Sequence, residues 1–289
     1  MQSDLVVVSM AVLAVLVCGG GCDGGTVGPG TKVVTVREEL PAWQPGTNTV
    51  AYSAGRSEED GPGVYVVDVV SGVRSRVIAN GTAAAWSRDG SMLAFQDAQG
   101  VGIVDIVTGS ARRVPSAGDA SRVTWSPDGT WLACEMRGSE ERIGIWKLRA
   151  DGQASPERIT PIGMRGGMAD WSASINEIVF SSPGEGGGGD LFAIEPNGAN
   201  LRQLTATKDK DEVYPRWSPD GSEIAYATMD GLWVLDLLGG RSRQLSGTEE
   251  AHLSSWQSGS WSGDGERIVY HKVRLWVIDA NGRNNRALQ

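Results

Sequence analysis

The sequence predicts an all-β protein, a six-bladed β-propeller of four-stranded antiparallel meanders, and three observations predict it. The stretch from Arg216 to Thr228, RWSPDGSEIAYAT, is written six times in different spellings. The tryptophans of the six copies, Trp43, Trp86, Trp125, Trp171, Trp217 and Trp261, follow one another at 39 to 46 residues, a period that marks an array of units, each unable to bury its apolar face without a neighbour. Between the copies lie short apolar runs bounded by turn residues, and no helical 3.6-residue pattern of useful length follows residue 18.

One unit can be read strand by strand. Ser218-Pro219-Asp220-Gly221 is a turn: proline presets φ, aspartate suits the next place, and glycine takes φ > 0 where the chain re-enters a strand. Trp217 ends the first strand and Glu223 to Thr228 forms the second, which makes a tight hairpin. The third strand is GLWVLDL from Gly231, with counterparts at Val64, Val101, Ile143, Leu191 and Leu275. Glycine turns such as DVVSG, DIVTG and DANG lead to arginine-rich fourth strands such as RSRVI and RSRQLS. The runs are continuous rather than alternating, as in sheets covered on both faces. Meanders stacked radially about a channel satisfy all of this.

The WSPDG, IAY and LWVLD segments, with the trailing RQL(S/T), resemble the WD40-like repeats of the TolB-type propeller from roughly Leu40 to the C-terminus. Five of the six copies keep Trp-Ser and four keep Asp-Gly. Two turns depart from the pattern: Gln44-Pro45-Gly46 in the first copy and Ser172-Ala173-Ser174-Ile175 in the fourth. The resemblance is to the propeller module alone, without the α/β domain that precedes it in TolB.

Residues 1–22 read as a signal peptide rather than as part of the fold. Leu5 to Cys18 is an apolar run of 14 residues, too short for a comfortable membrane span and suited to a signal-peptide core. It leads through Gly19-Gly20-Gly21 to Cys22, which resembles a lipoprotein cleavage site with Cys22 as the lipidated residue. The absence of Lys or Arg from MQSD and the glycine at position 19 depart from that pattern. Residues 23–30 are a spacer, and the propeller is expected over 31–289. Thr31 to Val36, TKVVTV, reads as a strand ahead of the first copy: either it pairs with the last blade to close the ring, or NNRALQ at the C-terminus fills that place. Cys134, on WLACE, is expected to be a small buried core residue.

A meander puts the conserved turns on one face and the second-to-third loops and blade connections on the other. The second face varies in length and is acidic, with Glu58, Glu59, Asp60, Glu140, Glu141, Glu185, Asp190, Asp209, Asp211, Glu212, Glu249 and Glu250. Function on rigid scaffolds gathers on variable loops. The candidates for a binding face are therefore Trp256, His252, Glu249, Glu250, Asp209, Asp211, Glu212 and Tyr214. Trp256 lies outside the repeat positions in the longest loop, and reads either as a binding aromatic or as a lid over the channel mouth. A net charge of -9 excludes nucleic acid as an expected partner.

Catalytic signatures are sparse. The two histidines, His252 and His271, are far apart in sequence, whereas zinc or manganese chemistry ordinarily wants several such ligands. Asp209, Asp211 and Glu212 offer the alternate carboxylates of a calcium loop without its third ligand or glycine, so no cofactor is expected and calcium is the one weak exception. Gly184 to Gly189 spells G-x-G-x-x-G, but the strand DLFAIE follows where a helix N-terminus is needed. No G-x-S-x-G elbow occurs. The expectation is an exported, lipid-anchored, monomeric propeller of the cell envelope that binds a protein or peptide without catalysis. The alternative is a metal-assisted lyase or hydrolase with its site at the channel mouth.

Overall fold

The computed structural model describes residues 38–55, 61–115, 117–136, 143–184, 188–208, 210–247, 258–271 and 275–288. Among them, six four-stranded antiparallel sheets follow one another along the chain, each built from consecutive strands. We number these blades I to VI. Their first strands, Glu38–Trp43, Thr82–Trp86, Ala120–Trp125, Gly167–Trp171, Val213–Trp217 and Gly259–Trp261, surround the common axis. No described segment is helical, so the predicted six-bladed propeller is the observed fold. Residues 1–37, and with them Cys22 and the strand expected over Thr31 to Val36, lie outside the described residues. The fourth strand of blade VI is Arg286–Ala287, so the C-terminal segment occupies the outer place there.

The core is not inside the blades but between them. Six clusters of buried side chains each straddle two neighbouring sheets. Val179, Leu191 and Ala193 of blade IV, for example, pack against Trp217, Ile224, Tyr226 and Leu235 of blade V. The ring is closed in the same way, by Trp43, Val50, Tyr52, Tyr65 and Val67 of blade I against Val269, Leu275 and Val277 of blade VI. Cys134 is fully buried in the cluster between blades II and III, and burial raises its thiol pKa. At one place on the third strand the other blades carry Tyr65, Trp146, Phe192, Trp233 and Trp276, whereas blade II has Gly102. Phe95 occupies that space, and a Cβ on Gly102 would stand 2.4 Å from the ring.

Each regular turn is closed by its serine and aspartate. The Ser218 hydroxyl donates to Asp220 Oδ1 at 2.6 Å and accepts the Glu223 N–H at 2.9 Å. Asp220 also accepts the Ser222 N–H and hydroxyl, and Gly221 turns the chain at φ 76°. Ser87-Asp89, Ser126-Asp128 and Ser262-Asp264 repeat the arrangement. In each of the four, the serine hydroxyl is the leading cause that holds the aspartate pKa below its ordinary value. In blade IV the left-handed position falls instead on Asn176, at φ 53°, a residue type that tolerates it.

The six tryptophans are 5–8% exposed, and each blade is tied to the one before it in one of two ways. Where the residue ahead of the preceding tryptophan is Ala42, Ala85 or Arg216, its carbonyl accepts the next indole N–H: from Trp86 at 3.1 Å, Trp125 at 3.0 Å and Trp261 at 3.2 Å. Where that residue is Thr124, Asp170 or Ser260, its side chain accepts the next tryptophan's backbone N–H: from Trp171 at 3.4 Å, Trp217 at 2.8 Å and Trp43 at 3.0 Å. The indoles of Trp43 and Trp171 then bond within their own turns, to Thr47 and Asn176. Among the described residues, the buried indole nitrogen of Trp217 has no hydrogen-bond partner. Replacing Trp125 or Trp217 with Ala is expected to cost about 3–5 kcal/mol, the range for deleting a large buried aromatic. The Phe variants separate packing from hydrogen bonding: Trp125→Phe leaves the Ala85 carbonyl short of a donor and should cost about 1 kcal/mol more than Trp217→Phe. Equal shifts of the two Phe variants in urea unfolding would show that the indole bond contributes nothing.

Candidate functional site

The first strands carry a backbone feature that the sequence does not announce. Three residues before the tryptophan, blades I to V place a non-glycine residue in the left-handed region: Leu40 (φ 53°), Ala83 (51°), Arg122 (53°), Met168 (59°) and Tyr214 (55°). At the same place the pairing with the second strand slips by a residue in all five blades. A left-handed non-glycine residue costs on the order of 1–2 kcal/mol, and such strain collects where backbone must be aimed rather than merely extended. The bulges surround the axis, and a cavity of about 20 Å³ at their level is lined by Leu40, Ala83, Arg122, Met168, Tyr214 and Arg216 among others. That is room for about one water molecule.

Charge at this level is arranged in pairs. The Arg122 guanidinium lies 4.9 Å from the centre of the Tyr214 ring and 4.0 Å from the Glu135 carboxylate, while its Nη1 is buried with no hydrogen-bond partner among the described residues. Asp170 accepts the Thr124 hydroxyl at 3.2 Å and the Trp217 N–H at 2.8 Å. Burial raises its carboxyl pKa above the ordinary aspartate value, against the opposing pull of the Arg216 charge.

Of the residues nominated for a binding face, Trp256, His252, Glu249, Glu250 and Asp209 lie outside the described residues. The other three are placed at three different levels. Glu212 is 1% exposed. Its carboxylate accepts the hydroxyls of Thr205 and Thr207, its N–H bonds Gly189 O at 2.7 Å, and its carbonyl accepts the Ser181 hydroxyl at 2.8 Å. Burial raises its pKa, and nearby Asp190 adds to the rise. Glu212 is thus a strut between blades IV and V. Asp211 accepts the Gly189 N–H, and Lys210 bonds Asp230 at 2.7 Å. Tyr214 lines the channel. Asp190, also read as a loop acid, is 2% exposed and accepts from Gln203 and from the Thr207 N–H. His271 is buried at the end of the second strand of blade VI. Among the described residues no group of three His, Cys, Asp or Glu side chains is placed to hold a metal ion.

The larger concavity lies on the opposite face, among the short turns. It is a groove of about 340 Å³ between blades III and IV, lined by Trp131, Lys147, Asp128, Trp171, Asn176 and Pro196 among others. Sequence reasoning passed over it because its residues sit in or beside turns of constant length. Its one legible signal is Trp131, a tryptophan outside the repeat position.

No protein-family model matches the sequence, and no curated protein matches it. Solved structures do match the fold. TolB from Acinetobacter baumannii aligns at 20% identity with a TM-score of 0.57, over 86% of this chain and 53% of TolB; the chain thus spans about half of that protein. An oligogalacturonate lyase in complex with manganese aligns at 14% identity and a TM-score of 0.58, over 88% of this chain and 77% of the lyase. The β-propeller domain of the Trilobed protease from Pyrococcus furiosus, described as having an open velcro topology, aligns at 12% identity and a TM-score of 0.56, over 88% and 95%. The chain is a six-bladed β-propeller with TolB-like structural neighbours. At these identities the likeness concerns the fold.

The raised pKa of Asp170 has a definite sign. A carboxyl whose pKa rises on folding takes up a proton as the chain folds, so the stability it contributes is present at low pH and lost as pH rises through the folded value. Asp170→Asn keeps the shape and removes the titration. The stability of the variant relative to the native protein should therefore improve as pH rises from about 4 to about 7, the range above the ordinary aspartate pKa. Urea unfolding at each pH measures it, and a pH-independent difference would show that Asp170 is not linked to folding.

Proposed function

We propose that the protein is an exported, non-catalytic binding or scaffold propeller, held at a membrane by lipid on Cys22, that engages a protein or peptide of the cell envelope through its long-loop face. The observation that carries this reading is the use made of the buried acids. Asp170, Asp190 and Glu212, the groups in the right setting for acid-base or metal chemistry, are bound by threonine hydroxyls, a glutamine amide and backbone N–H groups that hold blades and loops together. The net charge of -9 favours a basic partner segment. The export signal, the acidic loops from Glu249 to Trp256 and a TolB-like ring belong together in this picture.

The second reading is a metal-assisted lyase or hydrolase at the channel mouth, favoured by the manganese-bound lyase among the structural neighbours. One experiment separates the two. The protein is used to capture partners from envelope extract beside a variant with Glu249, Glu250 and Trp256 replaced by Ala, and both are assayed for bound metal. A partner held by the native protein and lost from the variant is the expected result. A stoichiometric metal ion with no captured partner would overturn it in favour of the enzyme. Cys22→Ala should release the protein from membranes, and retention of the variant would show an anchor other than lipid on that cysteine.

A further inference from the structure

The groove between blades III and IV is built from departures from the repeat that otherwise governs this chain. The second strand of each blade opens opposite a fixed place on the third. Thr49 faces Asp68, Met92 faces Asp105, Glu223 faces Asp236 and Arg267 faces Asp279. In blade III alone of these five, the pair is Trp131 opposite Arg149. Two residues further along, the third strand carries Val66, Ile103, Ala193, Val234 and Val277 in the other blades, whereas blade III has Lys147. The three substituted residues meet: the Lys147 ammonium lies 4.8 Å and the Arg149 guanidinium 5.5 Å from the centre of the Trp131 ring. Such cation–π contacts fix the orientation of the indole. Both cations also make ion pairs within blade III, Lys147 with Glu157 and Arg149 with Asp151 at 2.6 Å.

The other wall comes from the irregular turn of blade IV. Asn176 Oδ1 accepts the Trp171 indole N–H at 2.9 Å, which fixes the amide and assigns its Nδ2 as the remaining donor. Asp128, oriented by Ser126 and Thr130, supplies carboxylate acceptors on the facing turn, and Lys147, bonded to Glu157 at 2.9 Å, supplies an ammonium. We propose that this groove is a saccharide-binding site that takes one or two pyranose rings. Sugar hydroxyls both donate and accept, and they find here a carboxylate, an amide and an ammonium around Trp131, a partly exposed ring of the kind that suits the C–H face of a pyranose. The volume of about 340 Å³ sits at the lower end of small-ligand sites, which span about 300–1,000 Å³. A peptide added as a strand finds no edge here, because the second and third strands of blade III are paired on both sides. The site lies on the face opposite the long loops and does not rest on the protein-binding reading of that face.

The test returns blade III to the pattern of its neighbours. Trp131→Met and Lys147→Val install residue types that blades II, and I, V and VI, carry at the same places. The full chain and both variants are titrated by calorimetry with cellobiose, N,N′-diacetylchitobiose and digalacturonate, and with hexaproline as the peptide probe. Saturable binding of at least one disaccharide, weakened about tenfold or about 1.4 kcal/mol in each variant with an unchanged unfolding temperature, is expected. If Trp131→Met fails to fold, Lys147→Val decides alone. No saturation with any of the three disaccharides overturns the proposal, as does binding that survives the substitutions unweakened. Hexaproline binding that is lost in the variants, without disaccharide binding, assigns the groove to a peptide instead.

Discussion

The apolar surface shared by neighbouring blades is what the rest of the structure depends on. No sheet here has a core of its own: the six buried clusters all lie across an interface, and the tryptophan that ends each first strand sits where two sheets and the channel wall meet. Its near-complete burial supplies the driving force. The hydrogen bond at that place supplies the angle, and it takes one of two forms according to whether the residue ahead of the preceding tryptophan can accept through its side chain. The alternation between carbonyl and side-chain acceptors is therefore a local consequence of six single residues, Ala42, Ala85, Thr124, Asp170, Arg216 and Ser260.

Much of the fold was legible because the repeat is written in residues with narrow conformational roles. Tryptophan, the Ser-x-Asp-Gly turn and the branched third strand each specify one step of a meander, and six copies leave little freedom in how they stack. The left-handed bulge was not legible. It falls on Leu40, Ala83, Arg122, Met168 and Tyr214, which share no chemistry, since the surrounding pairing imposes the conformation and the side chain does not select it. Loop acids were misleading in a related way. Glu212 is spelled like a solvent-exposed residue, yet the two threonines that bury it lie five and seven positions earlier, and only the return of the chain brings them to it.

Function in a repeat protein is best sought where the repeat is broken. Trp131, Lys147 and Arg149 break it in blade III and the Ser172 to Asn176 turn breaks it in blade IV, and the two breaks face one another across the groove. Charge pairs elsewhere follow the pattern: Arg202 with Glu177 and Arg243 with Glu223 join the fourth strand to the start of the second in blades IV and V. At the axis, Arg122, Arg216 and Tyr214 line a cavity of about 20 Å³.

Among the described residues, every blade draws its four strands from one continuous stretch of chain, blade VI included. Each therefore completes its own hydrogen-bond ladder and borrows only apolar contact from its neighbours. A ring latched by a strand from the far end of the chain has its blade number locked, because removing a unit from the middle leaves the latch to be fitted anew. Here an in-frame duplication or deletion of about 44 residues adds or removes a unit with its own complete ladder, whose faces must then fit new neighbours. The architecture is thus open to growth and loss by whole blades.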